Sequence, residues 1–429
     1  METPPASHAR SQNEEHALNV ADPPRCRSCG APLAVTFIDL GLSPPANGLT
    51  EPGDAGRGES FYPLHAYVCE TCLLVQLDVF ETPEQIFRDY SYFSSYSTSW
   101  LQHAETYVEE MLRERGVAPG QRVVELASND GYLLQYFIRA RVEVLGIDPA
   151  SNVAAVARER GVPTIDEFFG RELAARVVAD YGPADLIVAN NVLAHVPDIN
   201  DFVAGIARLL ATTGFATIEF PHLLNLIEGV QFDTIYHEHF SYLSALALVP
   251  LFARHGLAIF DVQEIPTHGG SLRIFVGHTG KRPVGATVTA LIEKERAHGL
   301  DRIETYPAFG EAVMRVKRDF LEFLISARRE GKSVGGYGAA AKATTLLNFA
   351  GARTDFIHFV ADKSPHKQGR LIAGVRVPIV TPERLRAERP DYVVIFPWNI
   401  AAEIRDELAD VRAWGGRFVT AIPKLTVDP

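Results

Sequence analysis

The sequence predicts an α/β protein in three parts: a small N-terminal metal-binding module and two open, doubly wound sheets. Four cysteines stand in two C-x2-C pairs near the N-terminus, at Cys26 and Cys29 and at Cys69 and Cys72. After them, short apolar runs alternate with turns and helical spacing, as in "RVVELASNDGYLLQYF". The alternation begins again at "SVGGYGAAAKATTLLNFAG". Such alternation is typical of parallel sheets covered by helices on both faces.

The chain is long enough for several domains. A chain of 429 residues exceeds one hydrophobic core. We expect a disordered extension over 1–24, the metal-binding module over 25–80, a first sheet domain over 81–325 and a second over 326–429. The apolar runs are shorter than a membrane span, and the start of the chain has no apolar signal-peptide core. A cytoplasmic location is therefore expected.

The net charge of −12 favours small-molecule chemistry over nucleic-acid binding. Nucleic-acid-binding domains usually carry a basic surplus or a basic stripe. We therefore expect a small-molecule substrate, no nucleic-acid partner and no membrane partner. The oligomeric state stays open, and a monomer is compatible with the sequence.

The two cysteine pairs predict a structural zinc site. Two residues between cysteines suit a tight turn that points both thiolates at one ion, and two such turns complete a tetrahedral set. Two disulfides or free core thiols are the alternatives, although disulfides are disfavoured in a chain without an export signal. We expect Cys26, Cys29, Cys69 and Cys72 to bind Zn²⁺, which would supply much of the folding free energy of a small module.

The first turn of the first sheet domain is the expected cofactor site. Ligands of doubly wound sheets bind outside the carboxyl ends of the strands, so the turn in "VVELASNDG" should lie against the ligand. A glycine in this turn would allow close backbone approach. The acid that ends the next apolar run is placed to accept hydrogen bonds from ribose hydroxyls. The expected cofactor-binding residues are Glu125, Ser128, Asp130, Gly131, Asp148 and Asn190.

The charge of this turn favours a cationic cofactor. A dinucleotide site would show G-x-G-x-x-G, whose bare backbone holds a pyrophosphate. Glu125 and Asp130 instead place negative charge where a phosphate would bind. S-adenosylmethionine carries a sulfonium and an ammonium and has no phosphate. The turn resembles the first motif of class I S-adenosylmethionine-dependent methyltransferases, with Ala127 and Asn129 in place of two glycines.

The stretch "TIYHEHFSYLS" at 234–244 concentrates groups that handle protons. A histidine can take and return a proton near neutral pH, a glutamate can orient it, and a tyrosine can donate to a developing oxyanion. This set suits proton abstraction next to a carbonyl, followed by methylation of the carbon. A surface helix and a second metal site are the alternatives. His195, after the fourth strand, is either a site residue or a helix-surface histidine.

The second sheet domain opens on a turn of different charge. "GGYGAAAK" contains no acid, and bare amides at a helix N-terminus together with a lysine favour a phosphate. Asp362 ends the next strand, where a dinucleotide fold places its ribose-binding acid, so NAD is one interpretation. Tight helix–strand packing is another. In "THGGSLRIF", His268 and Arg273 either reach substrate or cap a strand. The expected substrate-binding residues are Tyr337, Gly338, Lys342 and Arg273.

The order of the motifs resembles that of one family. "CRSC…CETC", "VVELASNDGYLL", "NNVLAHVPD", "YHEHFSYLS", "THGGSLRIFV" and "GGYGAAAKATTLLN" follow one another as in the zinc-containing sugar C-methyltransferases. Those enzymes act on nucleotide-linked deoxysugars in antibiotic biosynthesis. The resemblance covers nearly the whole chain after about residue 25. It implies a class I methyltransferase sheet, followed by a Rossmann-like domain that contacts the nucleotide diphosphate.

The resemblance also implies the roles of individual residues. The base of the family is the histidine that ends the motif Y-x-E-H. It matches His239, the second histidine of "YHEH" here, while Tyr236 and Glu238 help shape the site. The histidine of N-x-x-A-H matches His195, and a tyrosine ahead of the cofactor domain matches Tyr90. The implied methyl donor is S-adenosylmethionine. The implied substrate is a TDP-linked 4-keto sugar that is methylated next to the ketone, commonly at C-3.

Two other functions remain compatible with the sequence. An NAD-dependent oxidoreductase of a sugar nucleotide could use the C-terminal Gly-rich turn, although the acidic first turn would then have no role. A zinc-dependent nucleic-acid methyltransferase is disfavoured by the net charge of −12.

Overall fold

The computed structural model describes residues 24–88 and 93–428 of the chain. Within these ranges the strands form three β-sheets, of four, seven and six strands. In the same ranges, no helix combines the length and the apolar character that crossing a membrane requires. Tyr90, one of the expected catalytic residues, lies outside the described residues.

The first sheet belongs to the N-terminal module. Its first three strands are antiparallel: β1 (Val35–Ser43), β2 (Tyr62–Val68) and β3 (Val75–Leu77). In β2, the alternate residues Leu64, Ala66 and Val68 are buried, as the two-residue period of a half-buried strand requires. The fourth strand, β9 (Ser241–Tyr242), comes from far along the chain and pairs with β3.

The four cysteines meet beside this sheet. Cys69 and Cys72 lie in the turn between β2 and β3, and Cys26 and Cys29 lie in an earlier turn. All four thiols are free, and their Sγ atoms lie within 4.8 Å of one another. Sulfur atoms around tetrahedral Zn²⁺ stand about 3.8 Å apart, close to the 3.5 Å of the Cys26–Cys72 and Cys29–Cys69 pairs. The cluster therefore fits the expected zinc ion.

Two helices connect the module to the second sheet, α1 (Pro83–Phe87) and α2 (Thr98–Arg113). The side chain of Ser97 caps α2 by accepting a hydrogen bond from the backbone N–H of Trp100. The helix buries one face at three- and four-residue steps, which anchors it on the second sheet.

Five parallel strands form the centre of the second sheet: β4 (Arg122–Leu126), β5 (Glu143–Ile147), β6 (Thr164–Ile165), β7 (Ala184–Asn190) and β8 (Leu210–Pro221). The helices between them are α3 (Leu134–Arg139), α4 (Ser151–Glu159), α5 (Arg171–Tyr181) and α6 (Ile199–Leu209). Two antiparallel strands, β10 (Leu257–Ile265) and β11 (Ser271–His278), extend the sheet beyond β8.

The strand order of this sheet is β10-β11-β8-β7-β4-β5-β6. The chain moves outward from β4 through β5 to β6 and then returns to β7 on the other side. Such a reversal is the point at which doubly wound sheets bind their ligands. The second sheet therefore has its binding cleft between the ends of β4 and β7.

The H-E-H stretch lies between two sheets. It follows α7 (Leu223–Glu228) and leads directly into β9, after which α8 (Ala245–Arg254) returns the chain to the second sheet. The sequence analysis selected this stretch for its proton-handling groups but did not predict its pairing with the module. The next helices are α9 (Ala286–Ala297) and α10 (Ala308–Arg329).

The third sheet has the strand order β14-β13-β12-β15-β16-β17, built from β12 (Val334–Tyr337), β13 (Val360–Ala361), β14 (Ile379–Val380), β15 (Tyr392–Ile395), β16 (Arg417–Thr420) and β17 (Thr426–Val427). Its strands are parallel except β17. Its helices are α11 (Ala341–Ala350), α12 (Pro382–Glu388) and α13 (Ala401–Glu407).

One hydrophobic core joins the module to the third sheet. Phe37 of β1 stacks on Phe309 of α10 with 4.6 Å between ring centroids, and both rings are buried. Leu346 of α11 and Val394 of β15 belong to the same core. Helix α10 continues through residue 326, where a domain boundary is expected. The expected domain limits remain predictions, because strands and core side chains cross them.

Replacing a zinc-binding thiol should unfold the module. We expect Cys69→Ser to lose the bound zinc and to lower the melting temperature by more than about 10 °C, because metal binding supplies folding free energy. Zinc content measured by mass spectrometry, together with thermal unfolding, checks this. Thr71→Ala, an exposed change in the same turn, is the matched control and should keep both. A zinc-free Cys69→Ser variant with unchanged melting would contradict the structural role.

Candidate active site

A cavity of about 730 Å³ lies at the switch point of the second sheet. Its walls come from all three parts of the fold: Asn47 from the module, Asp148 and Asn190 from the ends of β5 and β7, and Lys342 from α11. The volume is within the range of small-molecule sites. The cavity extends from the first turn of the second sheet to the first helix of the third, so it can enclose a cofactor and a substrate together.

The first turn has the left-handed backbone dihedrals typical of a glycine-rich turn, although only one of the three residues concerned is glycine. Ala127 (φ 58°), Asn129 (φ 48°) and Gly131 (φ 77°) all have left-handed dihedrals, which glycine and asparagine adopt more readily than other residues. The side chain of Asn129 accepts a hydrogen bond from the backbone N–H of Ser94 at 2.9 Å. Residues 127 and 129 thus have the backbone conformation of the glycines they replace.

Asp148 and Asn190 line one end of the cavity. The carboxylate of Asp148 accepts hydrogen bonds from the backbone N–H groups of Asn129 (2.8 Å) and Ala150 (2.9 Å). Burial nevertheless raises its pKa to about 6. Burial raises the pKa of the nearby Tyr132 hydroxyl, and the Asn190 side chain lowers it. Among the described residues, however, neither Nδ2 nor Oδ1 of Asn190 has a hydrogen-bond partner within 3.5 Å. A buried amide with spare capacity suits the adenosine part of S-adenosylmethionine.

The acidic residues of the first turn do not face the cavity. Glu125 is fully buried, and burial, followed by Asp148 and Asp130, raises the pKa of its carboxyl well above the usual value. Asp130 Oδ2 lies 2.9 Å from Arg160 Nη1 and accepts a hydrogen bond from the Ser95 hydroxyl. The expectation that both acids present negative charge to a cationic cofactor is therefore corrected. Burial disfavours the ionised form of Glu125, and Asp130 is paired with an arginine.

Ser128 and Gly131 serve the packing of the turn. A Cβ at Gly131 would lie 2.8 Å from the side chain of Val162, and a Cβ at Gly146 would lie 2.4 Å from Ser128 Oγ. Neither Ser128 nor Gly131 lines the cavity. Gly131 is therefore required by close contact with a neighbouring side chain, whereas the sequence analysis attributed it to the approach of a ligand.

His239 is held in one tautomer on the cavity wall. Its Nδ1 lies 2.7 Å from the carbonyl oxygen of Thr234. A carbonyl can only accept, so Nδ1 carries the proton and Nε2 is the basic nitrogen. Burial, and then His195, lower the pKa of His239 well below the usual histidine value. The ring is thus neutral at neutral pH and chemically able to accept a proton.

Two rings pack against His239. The Tyr236 ring lies 3.9 Å from it between centroids, and the His195 ring lies 4.7 Å away at an angle of 76°. His195 lines the cavity, and burial lowers its pKa to about 4. Its buried Nδ1 has no hydrogen-bond partner within the described ranges. Of the two interpretations of His195, the structure favours a place in the cavity over a helix surface.

Glu238 lies on the same wall, and the N-terminal module contacts its carboxyl. Nδ2 of Asn47 donates a hydrogen bond to Glu238 Oε1 at 2.7 Å. Burial raises the pKa of Glu238 to about 7, although the Asn47 hydrogen bond lowers it. The sequence analysis did not select Asn47, because its segment "SPPANGL" shows only the Gly and Pro content of a loop.

Lys342 lines the cavity from the first turn of α11, whereas Asp148 lines it from the end of β5. Burial lowers the pKa of Lys342, and Asp233 raises it. Its ammonium group lies 5.6 Å from the centroid of the Trp398 ring, whose indole N–H donates to Asp233 at 2.9 Å. A cation beside the first backbone amides of a helix suits an anionic group of a ligand.

Tyr337 and Gly338 lie outside the cavity wall. The Tyr337 hydroxyl donates to Glu407 at 3.1 Å. Gly338 (φ 87°) is covered by the ring of Pro397, to which a Cβ would come within 2.4 Å. Of the four expected substrate-binding residues, only Lys342 is thus brought to the cavity.

Arg273 belongs to a buried ion-pair network beneath the cavity. Its guanidinium contacts Glu219 at 2.5 Å and Glu110 at 2.9 Å. Glu219 of β8 also lies 3.0 Å from His103 Nε2. The His103 ring stacks on Trp100, a residue of the cavity wall. Arg273 therefore supports the site from below and neither reaches the cavity nor caps a strand.

His268 lines the cavity from the loop between β10 and β11. It has a left-handed backbone (φ 54°), and its ring lies 5.3 Å from that of Trp100. Gly269 and Gly270, which follow it, also have positive φ values. The sequence motif "THGG" drew attention to this loop, and the structure places His268 in contact with the cavity.

Comparison with known proteins adds the family. Three family models match in succession: a zinc binding domain over residues 26–87, a methyltransferase domain over 100–262 and a C-methyltransferase C-terminal domain over 266–423. The C-methyltransferase NovU of Streptomyces niveus is 36% identical over 400 residues, which are 93% of this chain and 95% of NovU. The ubiquinone biosynthesis O-methyltransferase of Rhodopseudomonas palustris is 30% identical over 102 residues, 23% of this chain and 39% of that protein.

Among solved structures, magnesium protoporphyrin IX methyltransferase from Synechocystis PCC 6803 with bound SAM is similar over 42% of this chain and 79% of its own, with 14% identity and a TM-score of 0.32. The assignment rests on NovU and the three family models. The chain therefore belongs to the C-methyltransferase family, with S-adenosylmethionine as its methyl donor and a structural zinc ion in its N-terminal module.

Proposed function

We propose that this C-methyltransferase acts on a TDP-linked 4-keto-deoxysugar and methylates C-3, next to the ketone. The observation that carries the proposal is the neutral ring of His239, whose tautomer is set by Thr234 and which lines the cavity. Carbon is a poor nucleophile until it loses a proton, and a C–H bond beside a ketone is acidic enough to lose one to a histidine.

In the proposed reaction, Nε2 of His239 takes the proton from C-3 of the sugar. The electron pair of the broken C–H bond moves into an enolate, whose negative charge lies on the ketone oxygen. Asp148 and Asn190, which line the cavity, would hold S-adenosylmethionine, whose sulfonium would supply the methyl group. C-3 would bond to that methyl group as its bond to sulfur breaks, and His239 would release its proton to solvent.

The neighbours of His239 have supporting roles in this proposal. Tyr236 and His195 fix the plane of its ring through their contacts at 3.9 and 4.7 Å. Glu238, when ionised, places a negative charge on the cavity wall. This charge stabilises the imidazolium that His239 forms and so lowers the free energy of proton transfer. By resemblance alone, Tyr90 is also proposed as a site residue.

Lys342 is proposed to contact the diphosphate of the substrate. Its position in the first turn of α11, beside the cavity, supports an anionic ligand. NAD is less compatible with this turn, because the ring of Pro397 covers Gly338 in the Gly-rich turn. A small-molecule nucleotide sugar is thus the proposed partner, without nucleic acid.

Replacing the proposed base tests the function directly. We expect His239→Asn to lower methyl transfer by about 10³-fold and to keep the affinity for S-adenosylhomocysteine, since the adenosine contacts are proposed at other residues, Asp148 and Asn190. Methyl transfer is measured by mass spectrometry with a panel of TDP-linked keto sugars, and proton abstraction by deuterium exchange at C-3. A variant with normal turnover would exclude His239 as the base.

His237→Asn is the matched control in the same H-E-H triplet. The His237 Nε2 contacts the Pro63 carbonyl oxygen at 3.2 Å, and its ring packs on Tyr62, away from the cavity wall. We therefore expect methyl transfer to stay within about tenfold of the wild type, because His237 has no contact with the proposed substrate. If no keto sugar is methylated by the wild-type enzyme, the proposed substrate is wrong.

Asp148 should make cofactor binding depend on pH. Because the pKa of Asp148 is raised to about 6, its carboxyl is mostly ionised above pH 6 and mostly protonated below it. The affinity for S-adenosylhomocysteine should therefore fall as the pH drops below about 6. We expect Asp148→Asn to weaken binding by roughly 10- to 100-fold at pH 8 and to remove this pH dependence. Isothermal titration between pH 5 and 8 checks both effects. Asp166→Asn, beyond the next strand and paired with Arg158, is the control and should bind normally.

A further inference from the structure

We propose that Asn47, a residue of the zinc-binding module, is a positioning residue of the active site that orients the Glu238 carboxylate into the cavity. The inference rests on the proposed function, in which Glu238 supports proton transfer to His239. It assigns to the module a direct part in the site, beyond carrying a metal ion.

The first observation is the contact itself. The amide Nδ2 of Asn47 donates to Glu238 Oε1 at 2.7 Å, across 191 positions of the sequence. Both residues line the cavity, and Glu238 is only 7% exposed. Because Oε1 of Glu238 accepts the Asn47 amide, the other carboxylate oxygen, Oε2, is the one that can interact with groups in the cavity. A neutral donor holds the carboxylate in place without cancelling its charge, as an ion pair would.

The second observation is that the backbone of Asn47 is anchored on both sides. The turn is closed by hydrogen bonds from Gly48 N–H to the Pro45 carbonyl (3.0 Å) and from Leu49 N–H to the Asn47 carbonyl (2.9 Å). The preceding carbonyl, of Ala46, accepts the hydroxyl of Thr344 on α11 at 2.9 Å. The module and the third sheet thus fix the point from which the amide reaches Glu238.

The third observation is the balance of groups around Glu238. Burial raises its pKa to about 7, Asn47 lowers it, and the negative charge of Glu81, ahead of α1, raises it. Among the residues that the structure describes, His195, His239 and Lys342 also line the cavity, and burial lowers the pKa of each. Glu238 is therefore close to half ionised at neutral pH, where one hydrogen bond changes its charge appreciably.

The direction of the effect follows from these contributions. Above its pKa Glu238 is ionised, and the Asn47 amide stabilises that form. Removing the amide should raise the pKa and leave less carboxylate at neutral pH. Removing the charge of Glu81 should lower the pKa and leave more. The two changes act on one carboxyl in opposite directions, which a general loss of structure cannot reproduce.

A direct titration of Glu238 tests the inference. Protein labelled with ¹³Cδ-glutamate is titrated by NMR, and the Glu238 resonance is assigned by its loss in Glu238→Gln. We expect Asn47→Ala to move the midpoint up by about half to one pH unit, and Glu81→Gln to move it down by a few tenths. An unmoved midpoint in Asn47→Ala would overturn the proposal. This readout needs neither substrate nor turnover.

The pH profile of methyl transfer at saturating cofactor is the second readout. The acid limb should move up in Asn47→Ala and down in Glu81→Gln, while zinc content and S-adenosylhomocysteine affinity stay unchanged. If the NMR midpoint moves and the acid limb does not, Asn47 has no part in the reaction and the proposal is wrong. If the wild type methylates no keto sugar, the proposed function fails, and the NMR titration still decides whether Asn47 controls Glu238.

Discussion

The pairing of Ser241 and Tyr242 with Gln76 and Val75 determines where the H-E-H stretch lies. The Leu77 N–H also donates to the Phe240 carbonyl at 3.0 Å, so the residue after His239 is already held by the module. The turn between β2 and β3 carries two of the zinc-binding cysteines. The metal site thus stabilises the strand against which the H-E-H stretch is placed.

A second link runs from the other cysteine pair. Arg27, between Cys26 and Cys29, donates to the carbonyl oxygens of Leu77 and Pro197, and its guanidinium lies 5.3 Å from the centroid of the Phe240 ring. Pro197 follows closely on the turn that carries His195. One arginine beside the zinc cluster therefore contacts the neighbourhoods of His195 and His239, two of the histidines that line the cavity. This arrangement links the metal site to the proposed active site.

Burial sets the charge state of the cavity. It lowers the pKa of the histidine rings and raises that of the carboxyls, because a low-dielectric surrounding disfavours every charged form. His239 is neutral and can accept a proton, the pKa of Glu238 is about 7, and burial raises the pKa of Glu125 well above its usual value. The attraction for a sulfonium that the sequence suggested for the whole acidic turn is thus reduced to Asp148, whose pKa is about 6.

The third sheet closes the cavity through the same stretch. The hydroxyl of Thr345 on α11 donates to the Ile235 carbonyl at 3.0 Å, one residue before Tyr236, and Trp398 donates to Asp233. The segment that carries the proposed base is therefore bound by the module on one side and by the third sheet on the other. A shift of either part would move His239 relative to the cofactor end of the cavity.

The sequence by itself determined the features that depend on local spacing. The paired cysteines predicted the zinc cluster, the alternation of strands and helices predicted two of the sheets, and the strand ends predicted Asp148 and Asn190 at the cleft. These predictions succeed because ligand spacing and the side-chain period of a strand act between near neighbours. The ordered motifs, by resemblance, also predicted the family.

The features that join distant segments became visible only in the folded chain. Neither the β3–β9 pairing nor the Asn47–Glu238 hydrogen bond leaves a trace in local periodicity, because each joins residues more than 160 positions apart. The compensation of Asp130 by Arg160 and the burial of Arg273 against Glu219 likewise depend on side chains that meet only after folding. Whether a charged residue serves a ligand or the core is set by its folded neighbours, since these determine its solvation and its counter-charge.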